Sequence, residues 1–203
     1  MVDRKKIIDS AVELYLKYGI KSAMIDDMAN ELGISKKTIY QYFNNKEELI
    51  GAVINELRNF IQTGIEKEID SRDDVFDSML GACVFFVTIL DKLTSSFVYT
   101  LKKYQYEYYC DLKNYSDKEL YARMKKIINM GIQEGYFRND LTFDSLFVIS
   151  MVKISHMINF HSGSQNIPYT KKTFFLMLAN DIRGITTIEG HKILDEKIDG
   201  FLD

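Results

Sequence analysis

The sequence predicts an all-α protein, and three observations carry that prediction. Apolar residues recur at three- and four-residue steps along nearly the whole chain, which is the period of a helix with one buried side. Proline, which interrupts helices, occurs once in the 203 residues, at Pro168. No run of alternating apolar and polar residues is bounded by the Asn-Gly or Asp-Gly turns of a hairpin.

The first helix is predicted by an apolar stripe that begins at Ile7 and stops at Gly19, where a left-handed residue can end a helix. A second, shorter stripe over residues 25–32 is again closed by a glycine, Gly33. The tight connection that follows Gly33 leads directly into the next helical segment. Two short helices therefore precede the most polar part of this region.

Ser35 can cap a third helix that reaches about Phe43, because its hydroxyl can accept from a backbone N–H one turn later. Asn45 with Glu48 three residues on is similar to a capping box. It predicts a long fourth helix that continues to about Ile65.

The third helix has two distinct faces. At 100° per residue, Ile39, Tyr42 and Phe43 share one side and are predicted to be core. The opposite side carries Lys37, Gln41 and Asn44, with Thr38 and Tyr40 at the edges. A cation and amides exposed on a helix can hydrogen-bond base edges and neutralise phosphates in a DNA major groove. The same face can instead be an ordinary solvated surface of a helical bundle.

The charge distribution favours the first of these interpretations. The chain has a net charge of −3, but between Ile34 and Lys46 it has three lysines and no acidic residue. A phosphate senses charges within a Debye length of about 8 Å, so a local positive patch can act on an acidic protein.

The segment "LYLKYGIKSAMIDDMANELGISKKTIYQYFNNKEELIGAVI" resembles the DNA-binding domain of the TetR family of transcriptional regulators, with the spacing kept over residues 4–54. The resemblance implies a helix-turn-helix domain at residues 1–46 and a helical ligand-binding and dimerisation domain at residues 47–203. Lys36, Lys37 and Gln41 would face bases or phosphates, and Lys46 would be a phosphate anchor. The implied DNA-binding set is Ser35, Lys36, Lys37, Thr38, Tyr40, Gln41, Tyr42 and Lys46.

Two positions depart from the family pattern. The family usually has Thr or Ser at the cap of the second helix, where this chain has Ala23 and Met24, and the exposed Asp26 that follows would repel DNA. The glycine that is frequent after the Ser-Lys pair is Lys37 here, which adds a cation to the reading face, the polar side of the third helix with Lys37 and Gln41.

The rest of the chain is also predicted to be helical, ending in a short helix after Gly190. The expected helices lie at residues 72–94, 97–110, 116–134, 143–161 and 169–187. The helix at 143–161 is apolar almost all round, so it must be covered on both sides. Two helices from each of two subunits would cover it, and the family's dimer agrees with that arrangement. The predicted interface residues are Phe147, Ile154, Ile158, Phe174, Leu178, Ile182 and Ile185.

Aromatic residues are densest between Phe97 and Tyr115. Tyrosine combines apolar area with one polar tip, which suits a pocket for a partly apolar molecule, although such residues can equally be core or surface. The pocket candidates are Phe85, Phe86, Phe97, Tyr104, Tyr108, Met151 and His156.

The sequence contains little that indicates a metal, cofactor or catalytic site. The three histidines lack metal-ligand spacing, so we predict no metal and no cofactor. No GxSxG, Gly-rich phosphate loop or HExxH motif is present, so we predict no enzyme. The two cysteines, Cys83 and Cys110, are predicted to be buried thiols. Because no apolar run approaches about 18 residues, we expect a cytoplasmic protein without a membrane partner.

The expected function is that of a ligand-responsive DNA-binding regulator, a repressor released from its operator by a small molecule. Its partners would be double-stranded operator DNA, a small-molecule effector and a second copy of the chain. The alternative is a helical small-molecule-binding or enzyme-like protein whose helix-turn-helix has lost its affinity for DNA.

Overall fold

The computed structural model describes residues 2–160 and 170–201, with the side chains of residues 158–160 left out, so Ile158 is not among the side chains described. This part of the chain is helical and contains no strand; its only bridge is an isolated one between Phe137 and Thr186. The helices are α1 (Arg4–Tyr18), α2 (Ile25–Leu32), α3 (Lys36–Tyr42), α4 (Lys46–Ile65), α5 (Val75–Lys92), α6 (Ser95–Tyr104), α7 (Tyr106–Gln133), α8 (Phe143–Phe160), α9 (Lys171–Ile185) and α10 (Ile188–Ile198). The all-α prediction is confirmed.

The chain packs as two compact units. The first contains residues 1–61 and 92–116, and the second contains residues 62–91 and 117–203. The predicted boundary at residues 46 and 47 therefore lies inside the first unit. The first turns of α4 are tied into this unit, because Lys5 of α1 bonds Glu56 at 2.7 Å and Gln105 bonds Glu47 at 2.9 Å.

Local signals in the sequence explain the helices of the first unit. Asp3 caps α1 by accepting the Lys6 N–H at 2.9 Å, and Gly19 ends the helix with a φ of 82°. Gly33 ends α2 in the left-handed region, with a φ of 64°, where glycine has no steric penalty. The side chains that fill the interior of this unit include Ile7, Ala11, Tyr15, Met28, Ile39 and Phe43.

In the second unit, aromatic contacts join α5 to the segment that follows α7. Phe76 of α5 meets Phe137 edge-on, with ring centroids 5.4 Å apart. The ring of Phe137 lies so close to Gly131 that a Cβ added there would be 2.1 Å from it. Glycine at this position in α7 therefore allows the chain after the helix to fold back onto it.

One predicted break is wrong. The sequence predicts separate helices at residues 97–110 and 116–134, but α7 runs through the polar residues between them as a single 28-residue helix. The interruption lies earlier, at Gln105, whose φ of −141° and ψ of 53° end α6.

Among the described residues no single helix is both long and apolar enough to cross a bilayer, although α5 and α6 reach that length and composition when counted together.

Candidate DNA-binding face and ligand cavity

Helices α2 and α3 form a helix-turn-helix whose turn is held by backbone hydrogen bonds. Ile34 donates its N–H to the carbonyl of Ala29 at 2.9 Å, and Gly33 donates to Asn30 at 3.2 Å. Ser35 then caps α3 by accepting the Thr38 N–H at 3.1 Å. These contacts fix the direction in which α3 leaves the turn.

The faces of α3 follow the helical period. Ile39 is 0% exposed and Phe43 is buried, whereas Lys37, Tyr40 and Gln41 are exposed. Lysine can donate to guanine and glutamine can pair bidentately with adenine, so this exposed face has the chemistry of base recognition.

Three hydroxyl-bearing residues of the predicted DNA-binding set, Ser35, Thr38 and Tyr42, make hydrogen bonds within the protein. Ser35 and Thr38 share a hydroxyl contact of 2.9 Å at the start of α3. Tyr42 is half-buried and donates its hydroxyl to the carbonyl of Val2 at 3.2 Å. These hydrogen bonds hold α3 in place from its first and last turns.

Lys36 and Asp26 form an ion pair between α3 and α2. Their atoms are 3.0 Å apart and both side chains are at least half exposed. The hydrogen bond to Asp26 raises the pKa of the Lys36 ammonium. The acidic residue that departs from the family pattern is therefore neutralised by one of the predicted DNA-binding lysines.

Lys46 is not positioned as a free phosphate anchor, in contrast to the expectation from the resemblance. Its ammonium donates to the carbonyls of Ile20 and Ala23, at 2.7 and 2.9 Å, and lies 5.6 Å from the centre of the Tyr15 ring. Burial lowers the pKa of this ammonium. Lys46 thus braces the α1–α2 turn, with its positive charge partly withdrawn from solvent.

The same turn is held from its other side by α6. Thr100 accepts the Ile20 N–H at 3.0 Å, Ser96 donates to the carbonyl of Tyr18 at 3.1 Å, and Thr94 donates to the carbonyl of Leu16. A Cβ on Gly19 would be only 2.8 Å from the Ser96 and Thr100 hydroxyl oxygens. No local pattern predicts this contact, because the polar residues Thr94 to Ser96 are typical of an ordinary break between helices.

A cavity of about 290 Å³ lies within the second unit, among α5, α7, α8 and α9. This is close to the lower end of the range for small-molecule sites, roughly 300–1,000 Å³. Its wall is mainly apolar, and its prominent side chains are Met79, Phe86, Leu120, Met124, Phe143, Phe147, Met151, Ile154, Leu178 and Ile182.

Two of the seven predicted pocket residues, Phe86 and Met151, line this cavity. The other five do not. Phe97, Tyr104 and Tyr108 belong to the first unit, Phe85 packs at Gly64 and His156 is exposed. The tyrosine-rich segment is therefore not the cavity wall; much of it forms α6 and the first turns of α7.

The predicted interface residues are mostly core residues of a single subunit. Phe174 is buried, and Phe147, Ile154, Leu178, Ile182 and Ile185 line the cavity. Among the described side chains of α8 and α9, the exposed large apolar ones are instead Val148, Ile149, Val152 and Met177. Because α8 is apolar almost all round, periodicity could not determine which of its sides faces the subunit's own core.

Comparison with known proteins agrees with the geometry of the first unit. Residues 7–53 match the family model described as bacterial regulatory proteins, tetR family. The matched segment runs from α1 into α4 and includes the whole helix-turn-helix.

Relatives extend the similarity beyond that segment. The transcriptional repressor KstR2 of Mycobacterium tuberculosis is 20% identical over 151 residues, which cover 71% of this chain and 74% of that protein. The transcriptional regulator YvaF of Bacillus subtilis is 26% identical over 137 residues, covering 66% and 70%.

Solved structures share the fold. The structure of KstR2 matches with a TM-score of 0.65 at 18% identity, covering 92% of this chain and 97% of that one. A transcriptional regulator from Saccharomonospora viridis in complex with choline matches with a TM-score of 0.75 at 19% identity, covering 91% and 97%. Residues 7–53 of this protein therefore match the DNA-binding domain of the TetR family of transcriptional regulators, and the relatives along two thirds of the chain are named transcriptional regulators.

Proposed function

We propose that this protein is a dimeric repressor that binds operator DNA through α3 and leaves it when a small molecule occupies the cavity among α5, α7, α8 and α9. The observation that carries the proposal is the presence, in one chain, of an exposed polar face on a helix-turn-helix and a separate apolar cavity. The named functions of relatives support it. KstR2 is named a repressor, and HdnoR of Paenarthrobacter nicotinovorans, 31% identical over 72 residues, is named a nicotine-responsive repressor.

Base recognition is assigned to Lys37 and Gln41. Both are exposed and lie one turn apart on the side of α3 opposite Ile39, and neither belongs to the hydrogen bonds that hold the turn. Tyr40 is 40% exposed at the edge of this face, where its hydroxyl suits a phosphate.

Helix α7 provides a route by which the ligand can act. Its first turns belong to the first unit, where the Tyr108 hydroxyl lies 3.0 Å from the position of a Cβ on Gly51 of α4. Its later turns supply Leu120 and Met124 to the cavity wall. A ligand that displaces those side chains therefore acts on a helix that also contacts the helix after the DNA-binding motif.

A second copy is expected to cover the exposed apolar side of α8. Val148 and Val152 are 60% and 64% exposed, next to the exposed Ile149. A symmetric pair of subunits would bury these residues and place two α3 helices on two half-sites.

A mobility-shift assay on the DNA upstream of the protein's own gene tests the proposal. The protein should shift a specific fragment, with an affinity that falls steeply as salt is raised.

Gln41→Ala should flatten the preference at one base pair of each half-site, a loss of about 1–3 kcal/mol of discrimination, while sparing nonspecific affinity. Binding selection on random DNA measures this preference, and selection of the wild-type motif by Gln41→Ala would show that the reading face is wrongly assigned.

The alternative is a small-molecule-binding protein whose helix-turn-helix no longer binds DNA. It predicts that no upstream fragment is shifted at any salt concentration, even though ligands bind the second unit. The Lys36–Asp26 pair weakens the argument for this alternative, since the acidic charge on α2 is compensated within the protein.

A further inference from the structure

The cavity of the second unit carries a balanced pair of charges. Among the described residues that line it, Lys153 of α8 and Asp181 of α9 are the only charged ones, and they are hydrogen-bonded to each other. Both are partly exposed, at 47% and 33%, whereas Leu120 and Ile182 in the same wall are almost fully buried. The pair therefore lies at the mouth, beside the exposed Ile149 and Asn180, and buried apolar residues such as Leu120 and Ile182 line the interior.

The charge of Asp181 also acts on the interior. Cys83 of α5 lines the cavity and is buried, and burial raises the pKa of its thiol to about 12. The negative charge of Asp181 is a second, smaller cause of that increase. A ligand in contact with Cys83 would thus be within reach of the field of this carboxylate.

We propose that the cavity selects an uncharged, mainly apolar molecule with a single polar group, which lies at the Lys153–Asp181 pair. This inference rests on the proposed function only in taking the cavity as the effector site. It adds the charge class of the ligand, which is set by the two residues at the mouth.

The selectivity follows from what each kind of ligand does to the pair. A carboxylate would have to attract Lys153 away from Asp181, which would leave an uncompensated carboxylate beside an apolar cavity. An ammonium group would leave Lys153 uncompensated in the same way. A hydroxyl or carbonyl can accept from Lys153, and a hydroxyl can also donate to Asp181, while the ion pair stays intact.

The depth of the cavity favours a small molecule over a side chain from a second copy. Its wall is built by four helices and reaches residues that are buried in one subunit, such as Leu120, Cys83 and Ile182. Of the exposed apolar residues expected at a dimer interface, Val148 and Val152 do not belong to this wall, whereas Ile149 borders the cavity.

Three probes with the same ring system test the charge class on the full-length protein: 2-naphthylmethanol, 2-naphthoate and 2-naphthylmethylammonium. Calorimetry or ring fluorescence gives their dissociation constants. The alcohol should bind wild-type protein about tenfold more tightly than either ion. A wild-type protein that binds one of the ions as tightly as the alcohol would overturn the proposal.

Two substitutions should reverse the selectivity in opposite directions. Asp181→Asn leaves Lys153 without its partner, so 2-naphthoate should gain about tenfold in affinity. Lys153→Met leaves Asp181 without its partner, so the ammonium probe should gain instead. Variants that fold, as judged by circular dichroism, but keep the wild-type order of the three probes would contradict the assignment.

Ser150→Phe is the control for location, because Ser150 is a half-buried cavity residue and a ring there fills the space. All three probes should lose affinity. Absence of binding to the wild-type protein, or equal binding to Ser150→Phe, would overturn the cavity as the site. The effector role is measured separately: an alcohol that binds as expected but leaves DNA binding unchanged supports the charge class and contradicts the proposed release.

Discussion

At the scale of single residues, Lys46 shows how a cation at a predicted DNA interface can have a structural role. Its two hydrogen bonds, of 2.7 and 2.9 Å, go to carbonyls of the α1–α2 turn. Lys46→Met keeps most of the alkyl chain but removes both donors, and unpaired carbonyls cost about 1–3 kcal/mol. We expect that loss in the free energy of unfolding, measured with urea, together with weaker DNA binding whose salt dependence is unchanged.

Lys37→Ala is the matched control for Lys46→Met, because Lys37 is an exposed cation on the reading face. It should leave stability unchanged, and because the cation of a base-reading lysine also lies close to the phosphates of the groove, it should reduce the slope of log affinity against log salt by about one. If Lys46→Met also reduces the slope by that amount, its ammonium contacts DNA directly.

Asp26 is expected to limit the affinity for DNA. It is an exposed carboxylate on α2 that is paired at 3.0 Å with Lys36, a predicted DNA contact. Asp26→Asn removes a negative charge and releases Lys36 for a phosphate, so DNA binding should become tighter and the salt slope steeper by about one. Fluorescence anisotropy across a KCl series measures both quantities.

Asp9→Asn is the control for Asp26, since Asp9 is an exposed carboxylate paired at 3.0 Å with Lys5 on α1. It should have a much smaller effect on DNA binding. Equal effects of the two substitutions would indicate a general effect of net charge and would remove the local role of Asp26.

The residues of α3 and of the start of α4 were predictable from the sequence to different degrees. The buried positions of Ile39 and Phe43 follow from the 3.6-residue period, which is a local property of the chain. The partners of Lys46 lie 26 and 23 positions away, and no local pattern specifies such contacts. The residues that a side chain contacts far along the chain are decided by tertiary packing.

At the scale of elements, α6 is held against the α1–α2 turn by hydroxyl groups. Thr100 accepts the buried Ile20 N–H at 3.0 Å and donates to its own helix at the Ser96 carbonyl. Thr100→Val keeps the shape but leaves that N–H unpaired, which should destabilise the protein by about 1–3 kcal/mol. DNA affinity should also fall, because the turn that positions α2 loses a partner; urea unfolding and anisotropy report the two effects.

Thr88→Val is the matched control in α5, where the Thr88 hydroxyl donates within its own helix to the Val84 carbonyl at 2.9 Å. That carbonyl accepts a helical hydrogen bond as well, so little stability should be lost and DNA binding should stay at the wild-type level. A loss at Thr88 as large as that at Thr100 would show that hydroxyl removal is costly wherever it is made.

Helix existence was easier to predict than helix boundaries. The caps at Asp3, Ser35 and Thr94 are local hydrogen bonds, and several helices begin where the sequence suggested. The sequence predicts a break between residues 110 and 116 that the structure does not have, because solvated residues in a long helix resemble a loop in sequence. Gln105, where the interruption lies, has no glycine or proline beside it.

At the scale of the whole molecule, the sequence order of the chain and the packing of its two units differ. Residues 92–116 return to the first unit after α5, so the DNA-binding motif is packed with α6 and the first turns of α7. A division of the sequence at residues 46 and 47 could not include this return, because it depends on contacts such as that between Ile20 and Thr100, 80 positions apart.

The expected dimer is the property of the whole molecule that most affects DNA binding, because a monomer has only one α3 to offer to two half-sites. Val152→Glu places a charge at the centre of the exposed apolar patch of α8, where burial against a second copy would leave it unpaired. We expect light scattering after size exclusion to give the mass of one chain, with operator affinity reduced at least about a hundredfold through loss of the second half-site.

Ile188→Glu is the matched control, since Ile188 on α10 is 84% exposed and lies outside this patch. It should remain dimeric and bind the operator as the wild type does; a Val152→Glu protein that also remains dimeric would move the interface away from this side of α8.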